Sequence, residues 1–360
     1  MAPVRSYTNW NSRTTDEEEQ IEPYRKYFFI CEGANTETWY FKKLIDIRKE
    51  LNIHPLIDIR LLEKTEGDRD ISFPRRLIEF AENQKENPEI AFDKERDKMI
   101  VVFDGDIFEE KVLDYDELVA EGEKNNILAV SNPAFELFLL LHYENSYEDD
   151  IEPNAEQIIQ NEKDGHQTFI YKLLLARTGI NPKKNSAIGE LAKNIEIAIE
   201  QEKKINEDIH QCKGQITCNI GRIIDEIREA KFSIWIAMAW FTNKKIFDEL
   251  LKKRNEGLDV KIIIDNNRVN KEKPSFTLED HFEVYRVDVM SERYKNIMHR
   301  KFCVIDLEVA MHGTFNWTNA ANYNKEHWDV DHNRETAKTF AEEFVKMRRD
   351  AELSMLWLDF

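Results

Sequence analysis

His299, Lys301, Asp306, Gly313, Thr314 and Asn316 fall in one stretch, HRKFCVIDLEVAMHGTFNWTNA, as the pattern H-x-K-x4-D-x6-G-T-x-N. His299 and Lys301 alternate with Arg300 and Phe302, so in a strand they face the same side. A neutral imidazole can attack phosphorus and hold it covalently. An ammonium and an amide beside it could hold the nonbridging oxygens of a phosphodiester, where charge gathers in the transition state. Gly313 would let the backbone approach the phosphate, and Thr314 could add a hydroxyl. The bland reading of the same residues is a strand, a turn and a second strand.

A second set lies near the other end of the chain. Glu32 follows the apolar run KYFFIC, and Asp104 and Asp106 follow KMIVVF. If both runs are parallel strands, these carboxylates sit beyond their carboxyl ends, where ligands bind in α/β sheets. An acid plus an Asp-x-Asp is a fit set of oxygen ligands for Mg²⁺. The bland reading is that Glu-Gly is common after a strand and that Asp-x-Asp caps the next helix. The cysteines, Cys31, Cys212, Cys218 and Cys303, lack a usual zinc spacing and read as reduced thiols.

The elements that must position these sets alternate. After a polar arm at 1–24, KYFFIC, LIDIRLL, KMIVVF and ILAVS read as strands. TETWYFKKLIDIRKEL, FPRRLIEFAENQKEN, YDELVAEGEKN and PAFELFLLLHYE read as helices between and after them, the last opened by Pro133 in its first turn. Such alternation implies a mostly parallel sheet covered on both faces. Residues 147–160 read as an acidic loop and 166–211 as a helical extension or linker. A second alternating set starts near Ile216: IGRIIDEIREAK as its first helix, then FSIWIAMAWF, NKKIFDELLKKRNEG, DVKIIID, FEVYRVD, KFCVID, EVAMHG and a closing helix. Gly257 fits the left-handed residue that ends a helix. The fold class is therefore α/β, with domains expected at 25–205 and 212–350 and the boundary within 195–215.

The 360 residues are 41% hydrophobic and 34% charged, enough for real cores. No apolar run approaches the length of a membrane span, and the first 20 residues lack the apolar core of a signal peptide, so a cytoplasmic protein without a membrane partner is expected. The net charge of -19 argues against nucleic acid at first. It is unevenly placed: residues 1–211 hold 27 Lys/Arg against 45 Asp/Glu, whereas 212–360 hold 24 against 25. Basic clusters at 252–254, 266–273 and 293–301 allow a local basic groove, or simply a solvated surface.

The first set resembles the phospholipase D superfamily motif, matching its spacing throughout, and the resemblance covers roughly 212–350. It implies His299 as nucleophile, Lys301 and Asn316 as phosphate-holding donors and Asp306 in a mostly structural role. Glu326, in NYNKEHW where nucleases of the superfamily carry an acid, would orient the imidazole. No metal is implied for this site. The reaction also needs a second His and Lys, yet none of the other histidines begins an H-x-K. That resembles the small single-copy bacterial nucleases, which pair two copies, so a homodimer through the C-terminal domain is expected. The second set resembles the TOPRIM fold, with its lone Glu and its Asp-x-Asp. CEGANTETWYF, VVFDGD and SNPAFELFLLLH resemble the RloB-like family of phage-defence proteins over roughly 25–205. That resemblance implies Glu32, Asp104 and Asp106 as acid and Mg²⁺ ligands, with Glu37 and Glu136 as further candidates. Asn132, Pro133 and Phe135 belong to its signature. Together the resemblances imply a nuclease acting on DNA, RNA or tRNA in antiphage defence, with a phage-derived trigger or a partner ATPase as further partners. Two alternatives stay open: an N-terminal domain that is a silent sensor, and a C-terminal domain that is a lipid phosphodiesterase.

Overall fold

A computed structural model describes residues 5–7, 25–54, 56–64, 73–105, 115–229, 231–288 and 297–356. The chain divides into two compact units, one holding Arg25–Ala230 and the other Lys231–Phe360.

In the first unit β1 (Arg5–Tyr7), β2 (Arg25–Cys31), β3 (Ile57–Glu63), β4 (Lys98–Asp104) and β5 (Ile127–Asn132) carry α1 (Thr36–Asp46), α2 (Pro74–Lys85), α3 (Tyr115–Gly122) and α4 (Phe135–Leu140) between and after them. The sheet order is β1-β3-β2-β4-β5-β8, the last being Thr217–Cys218, with β3, β2, β4 and β5 mutually parallel and short antiparallel strands at both edges. The last five residues of β2 and the central five of β4 are all buried. Burial on both faces explains why these strands read as unbroken apolar runs. The chain leaves β2 toward β3 on one side and then crosses to β4 on the other. The carboxyl ends of β2 and β4 therefore flank the point where strand order reverses.

Pro133 does not open α4. It precedes the extended residue Ala134, and the helix begins at Phe135. Nor are residues 147–160 a loop. They form a π turn (Tyr147–Ile151), a 3₁₀ turn (Glu152–Asn154) and α5 (Ala155–Gln160). Ile151 and Ile158 anchor them in the core, and the Arg177 guanidinium pairs with Asp149 and Asp150. A small hairpin, β6 (Lys163–Asp164) with β7 (Gln167–Thr168), leads into α6 (Phe169–Thr178), a 3₁₀ segment (Ser186–Asn194) and α7 (Ile195–Glu202). The 3₁₀ segment lies so close to α1 that a Cβ on Gly189 would stand 2.6 Å from the Trp39 carbonyl oxygen.

The expected boundary needs correction. β8 (Thr217–Cys218) and α8 (Ile220–Glu229) complete the first unit rather than start the second. β8 pairs with the end of β5. Buried Asn219 extends that pairing with its side chain: it accepts from Val130 N at 2.8 Å and donates to Leu128 O at 2.9 Å. The buried Glu202 carboxylate accepts from Gly221 N and Arg222 N at 3.0 and 2.7 Å and so caps α8.

In the second unit β9 (Ser233–Met238), α9 (Lys244–Asn255), β10 (Asp259–Asp265), α10 (Arg268–Glu272), β11 (Glu283–Val287), β12 (Lys301–Ile305), β13 (Val309–Gly313), β14 (Trp328–Asp331) and α11 (Arg334–Leu356) follow in order. The sheet order is β11-β10-β9-β12-β13-β14; β9, β10 and β11 are parallel, and β12 to β14 antiparallel to their neighbours. Gly257 has φ +96 and ends α9, as expected. Phe344 of α11 stacks on Trp235 of β9, and Phe340 packs on Phe302 of β12, so α11 covers one face. Among the described residues no helix is long and apolar enough to cross a membrane.

Candidate active site

Antiparallel pairing brings four chain ends to one edge of the second sheet. The carboxyl end of β9 meets the amino end of β12, and the carboxyl end of β13 meets the amino end of β14. Lys301 pairs with Met238, Phe302 with His312, and Gly313 with Trp328. Lys301 thus stands across from Gly313, where the β13–β14 pairing leaves no space for a side chain. A Cβ on Gly313 would lie 2.1 Å from the His327 carbonyl oxygen.

His299 lies just before β12 and is exposed. Trp240 meets its ring edge-on at 5.9 Å. Lys301 is buried, and its Nζ donates to the His299 carbonyl at 2.9 Å. Burial pushes the Lys301 ammonium below its ordinary pKa, while the charge of Glu326 opposes that shift. Asn316 is also buried, and its Oδ1 has no hydrogen-bond partner among the described residues. A buried acceptor of that kind is costly to leave unpaired and draws notice to the site. The next residue, Trp317, ties this loop to the chain after β9 by accepting from Thr242 N and Asn243 N.

Thr314 and Glu326 depart from what the sequence led us to expect. The Thr314 hydroxyl donates to Glu326 Oε2 at 2.6 Å, and Asn324 Nδ2 donates to Oε1 at 3.1 Å. The Thr314 bond, then the Asn324 bond, hold the Glu326 carboxyl below its ordinary pKa. Among the described residues Glu326 makes no hydrogen bond to His299. The reason is the β13–β14 pairing: Thr314 N donates to the His327 carbonyl and His327 N donates to the Thr314 hydroxyl, which fixes Glu326 over the threonine. Asp306 is structural. Its Oδ1 accepts from Phe232 N and Ser233 N, both at 2.8 Å, and pins the start of β9 to the turn after β12. Of the basic clusters, Lys253 pairs with Glu256, Arg268 with Glu272 and Arg300 with Glu343, and residues 293–296 lie outside the described residues.

Trp240 and Asp265 were not singled out from the sequence. Buried Asp265 accepts from Met298 N at 2.7 Å and so holds the backbone entering His299. Its signal was present: like Glu32 and Asp104 it stands at the carboxyl end of a parallel strand. Trp240 had none, because its contact arises only from β9–β12 pairing.

In the first unit Glu32 and Asp104 do come together at the strand-order reversal. Glu32 N donates to Val102 O at 2.9 Å, its Oε2 accepts from Asp104 N at 3.1 Å, and Asp104 Oδ1 accepts from Phe135 N at 2.8 Å. Phe135 thereby acquires a role: its amide, at the start of α4, holds Asp104. Asn132 donates to Cys212 O and Gln215 O, tying β5 to the segment before β8. Lys64, absent from our sequence-derived set, donates to the Glu32 carbonyl. Glu37 is buried and accepts from Gly33 N; burial raises its carboxyl pKa, opposed by its own and the Gly33 backbone amides and then by the charges of Lys64 and Lys183. Glu136 is buried on α4. Asp106 lies outside the described residues, and among those described no three His, Cys, Asp or Glu residues form a metal-holding group. Glu32 and Asp104 supply hard oxygen donors side by side at the strand ends, a chemistry that suits Mg²⁺.

Residues 27–227 match the RloB-like protein family, and residues 223–348 match the family described as cardiolipin synthase, PLD-like domain. The resemblances to the RloB-like family and to the phospholipase D superfamily are thereby borne out. A mitochondrial cardiolipin hydrolase of Chlamydomonas reinhardtii is 28% identical over 130 residues, 36% of this chain and 57% of its own length. A phospholipase D of Rickettsia felis is 24% identical over 127 residues, 35% of this chain and 62% of its own length. The chain thus spans less than two thirds of these curated relatives. Among solved structures, the phospholipase D family member Nuc from Salmonella typhimurium is 24% identical, covering 36% of this chain and 88% of that one, with a TM-score of 0.29. NucT from Helicobacter pylori is 23% identical, covering 36% and 86%, with a TM-score of 0.28.

Proposed function

Because the chain belongs to the RloB-like protein family and carries a PLD-like domain at its C-terminal end, we propose that it is a phosphodiesterase that cleaves nucleic acid at His299. The observation that carries this reading is the gathering of His299, buried Lys301 and buried Asn316 at one end of the second sheet. A ring nitrogen of neutral His299 attacks phosphorus, and the bond to the leaving oxygen breaks as the N–P bond forms. Lys301 and Asn316 hold the nonbridging oxygens. The leaving oxygen takes its proton from the imidazolium of a second His299, supplied by a second copy of the chain. Water then attacks phosphorus, returns a proton to that second imidazole and releases the first. Glu326 balances the Lys301 charge and locks Thr314.

The test is hydrolysis of DNA, RNA, tRNA, cardiolipin and bis(p-nitrophenyl) phosphate by purified protein, with and without chelator. Cleavage that persists in EDTA and vanishes in His299→Ala is expected. Full activity in His299→Ala under EDTA would sink the reading. The names of the curated relatives support a lipid phosphodiester as the second reading, which the cardiolipin arm decides.

For the first unit, the convergence of Glu32 and Asp104 supports Mg²⁺ held by Glu32, Asp104 and Asp106, where it would act as a Lewis acid toward phosphate oxygens. Glu37 and Lys64 fix the backbone that presents Glu32. The family resemblance supports a role in antiphage defence, for which loss of plaque protection in His299→Ala cells is the measurement.

A further inference from the structure

Among the described residues Tyr323 is 91% exposed, far more than the other exposed large apolar side chains, Val330 at 48%, Ile297 at 41% and Phe73 at 40%. It ends the 3₁₀ turn Ala320–Tyr323, which joins Asn316 to Glu326. That turn is fastened at both ends. Trp317 is buried and anchored to the chain after β9, Ala321 is buried and donates to the Thr318 hydroxyl, and Asn324 donates to Glu326. A rigid turn inside the site loop therefore holds a whole aromatic ring in water, where it adds nothing to the fold.

We propose that Tyr323 stacks on a base of the substrate, and that the substrate strand is single-stranded where it enters the His299 site. This rests on the phosphodiesterase reading above and names the substrate form and the residue that selects it. A ring stacks on any base, and each such contact is worth about 1–3 kcal/mol. In a duplex both base faces are covered by neighbours, so an isolated ring has no face to meet. The surroundings favour a base over a lipid surface. Asn319, Asn324 and Lys325, near it in the chain, are exposed and polar. A membrane-inserting segment presents several apolar side chains together.

The test uses the full-length protein in EDTA and reads binding, not turnover. A fluorescein-labelled single-stranded oligonucleotide, its duplex, an abasic strand of equal length and cardiolipin vesicles are compared. Tyr323→Ala is expected to weaken single-strand binding about 5- to 150-fold, which is the stacking range expressed as affinity. Tyr323→Phe keeps the ring and should restore it, and Val330→Ala, the loss of another exposed apolar side chain, should leave it intact. The abasic strand should bind wild type and Tyr323→Ala alike. Unchanged single-strand binding in Tyr323→Ala overturns the proposal, as does equal loss on the abasic strand. So does a loss confined to vesicles, which would make the ring a lipid contact. Because no step depends on cleavage, failure of the His299 chemistry would show separately in the hydrolysis assay.

Discussion

Lys301 is buried with its Nζ on the His299 carbonyl, so an ammonium is kept from bulk water next to the proposed nucleophile. Burial lowers its pKa in the folded chain. The unfolded chain therefore binds the extra proton more readily, and below the folded pKa the burial penalty is present in full. Stability gained by removing it should be largest at neutral pH and shrink as pH rises toward the ordinary lysine range. Lys301→Met is expected to melt higher than wild type at neutral pH while losing on the order of 10²–10³ in kcat. Thermal melts across pH, with bis(p-nitrophenyl) phosphate turnover, check both halves. A variant that melts lower at neutral pH contradicts this account of the site. The deprotonated limb of the wild-type pH profile should also start below the range of an exposed lysine.

At the scale of elements, Asn219 does the work of a strand. Its amide pairs with Val130 N and Leu128 O along the edge of β5, where β8 itself contributes only two residues. Asn219→Ala leaves both backbone groups unpaired in a buried place, at a cost of about 1–3 kcal/mol each. Urea melts of the whole chain should show the first transition move to lower denaturant with the second unmoved; an unshifted first transition would refute the assignment. The same element shows what sequence can and cannot carry. β2 and β4 were legible because burial on both faces writes an apolar run. In α8, the stripe Ile220, Ile223, Ile224 and Ile227 announced a helix but not the unit it packs in, since Glu202 and Asn219 make that choice through hydrogen bonds distant in sequence. β14 was missed because WDVD is short and has no buried residue. His299, Lys301, Asn316, Glu32 and Asp104 were legible as residue types at strand ends. The bond between Thr314 and Glu326 was not, because it follows from strand pairing alone.

For the whole molecule, the single H-x-K predicts shared sites. Dimers mixing wild type with His299→Ala should be inactive in EDTA, because the proposed mechanism takes nucleophile and acid from different chains. Full activity at one site of the mixed dimer would rule out sharing. The first unit calls for the opposite condition. Cleavage by His299→Ala protein should appear only with Mg²⁺ or Mn²⁺ and disappear in Asp104→Asn, which still accepts from Phe135 N. If no metal condition gives such cutting, the first unit is a sensor or scaffold.

The late position of β8 in the chain also bears on synthesis. As the chain leaves the ribosome, β2 to β5 emerge long before Thr217, Cys218 and Asn219. Throughout that interval β5 has an open edge, the kind that pairs with other nascent chains. Translation pauses or premature stops between residues 132 and 217 should thus be the most damaging to yield, and chaperone occupancy along the nascent chain should peak there and fall once Glu229 is out.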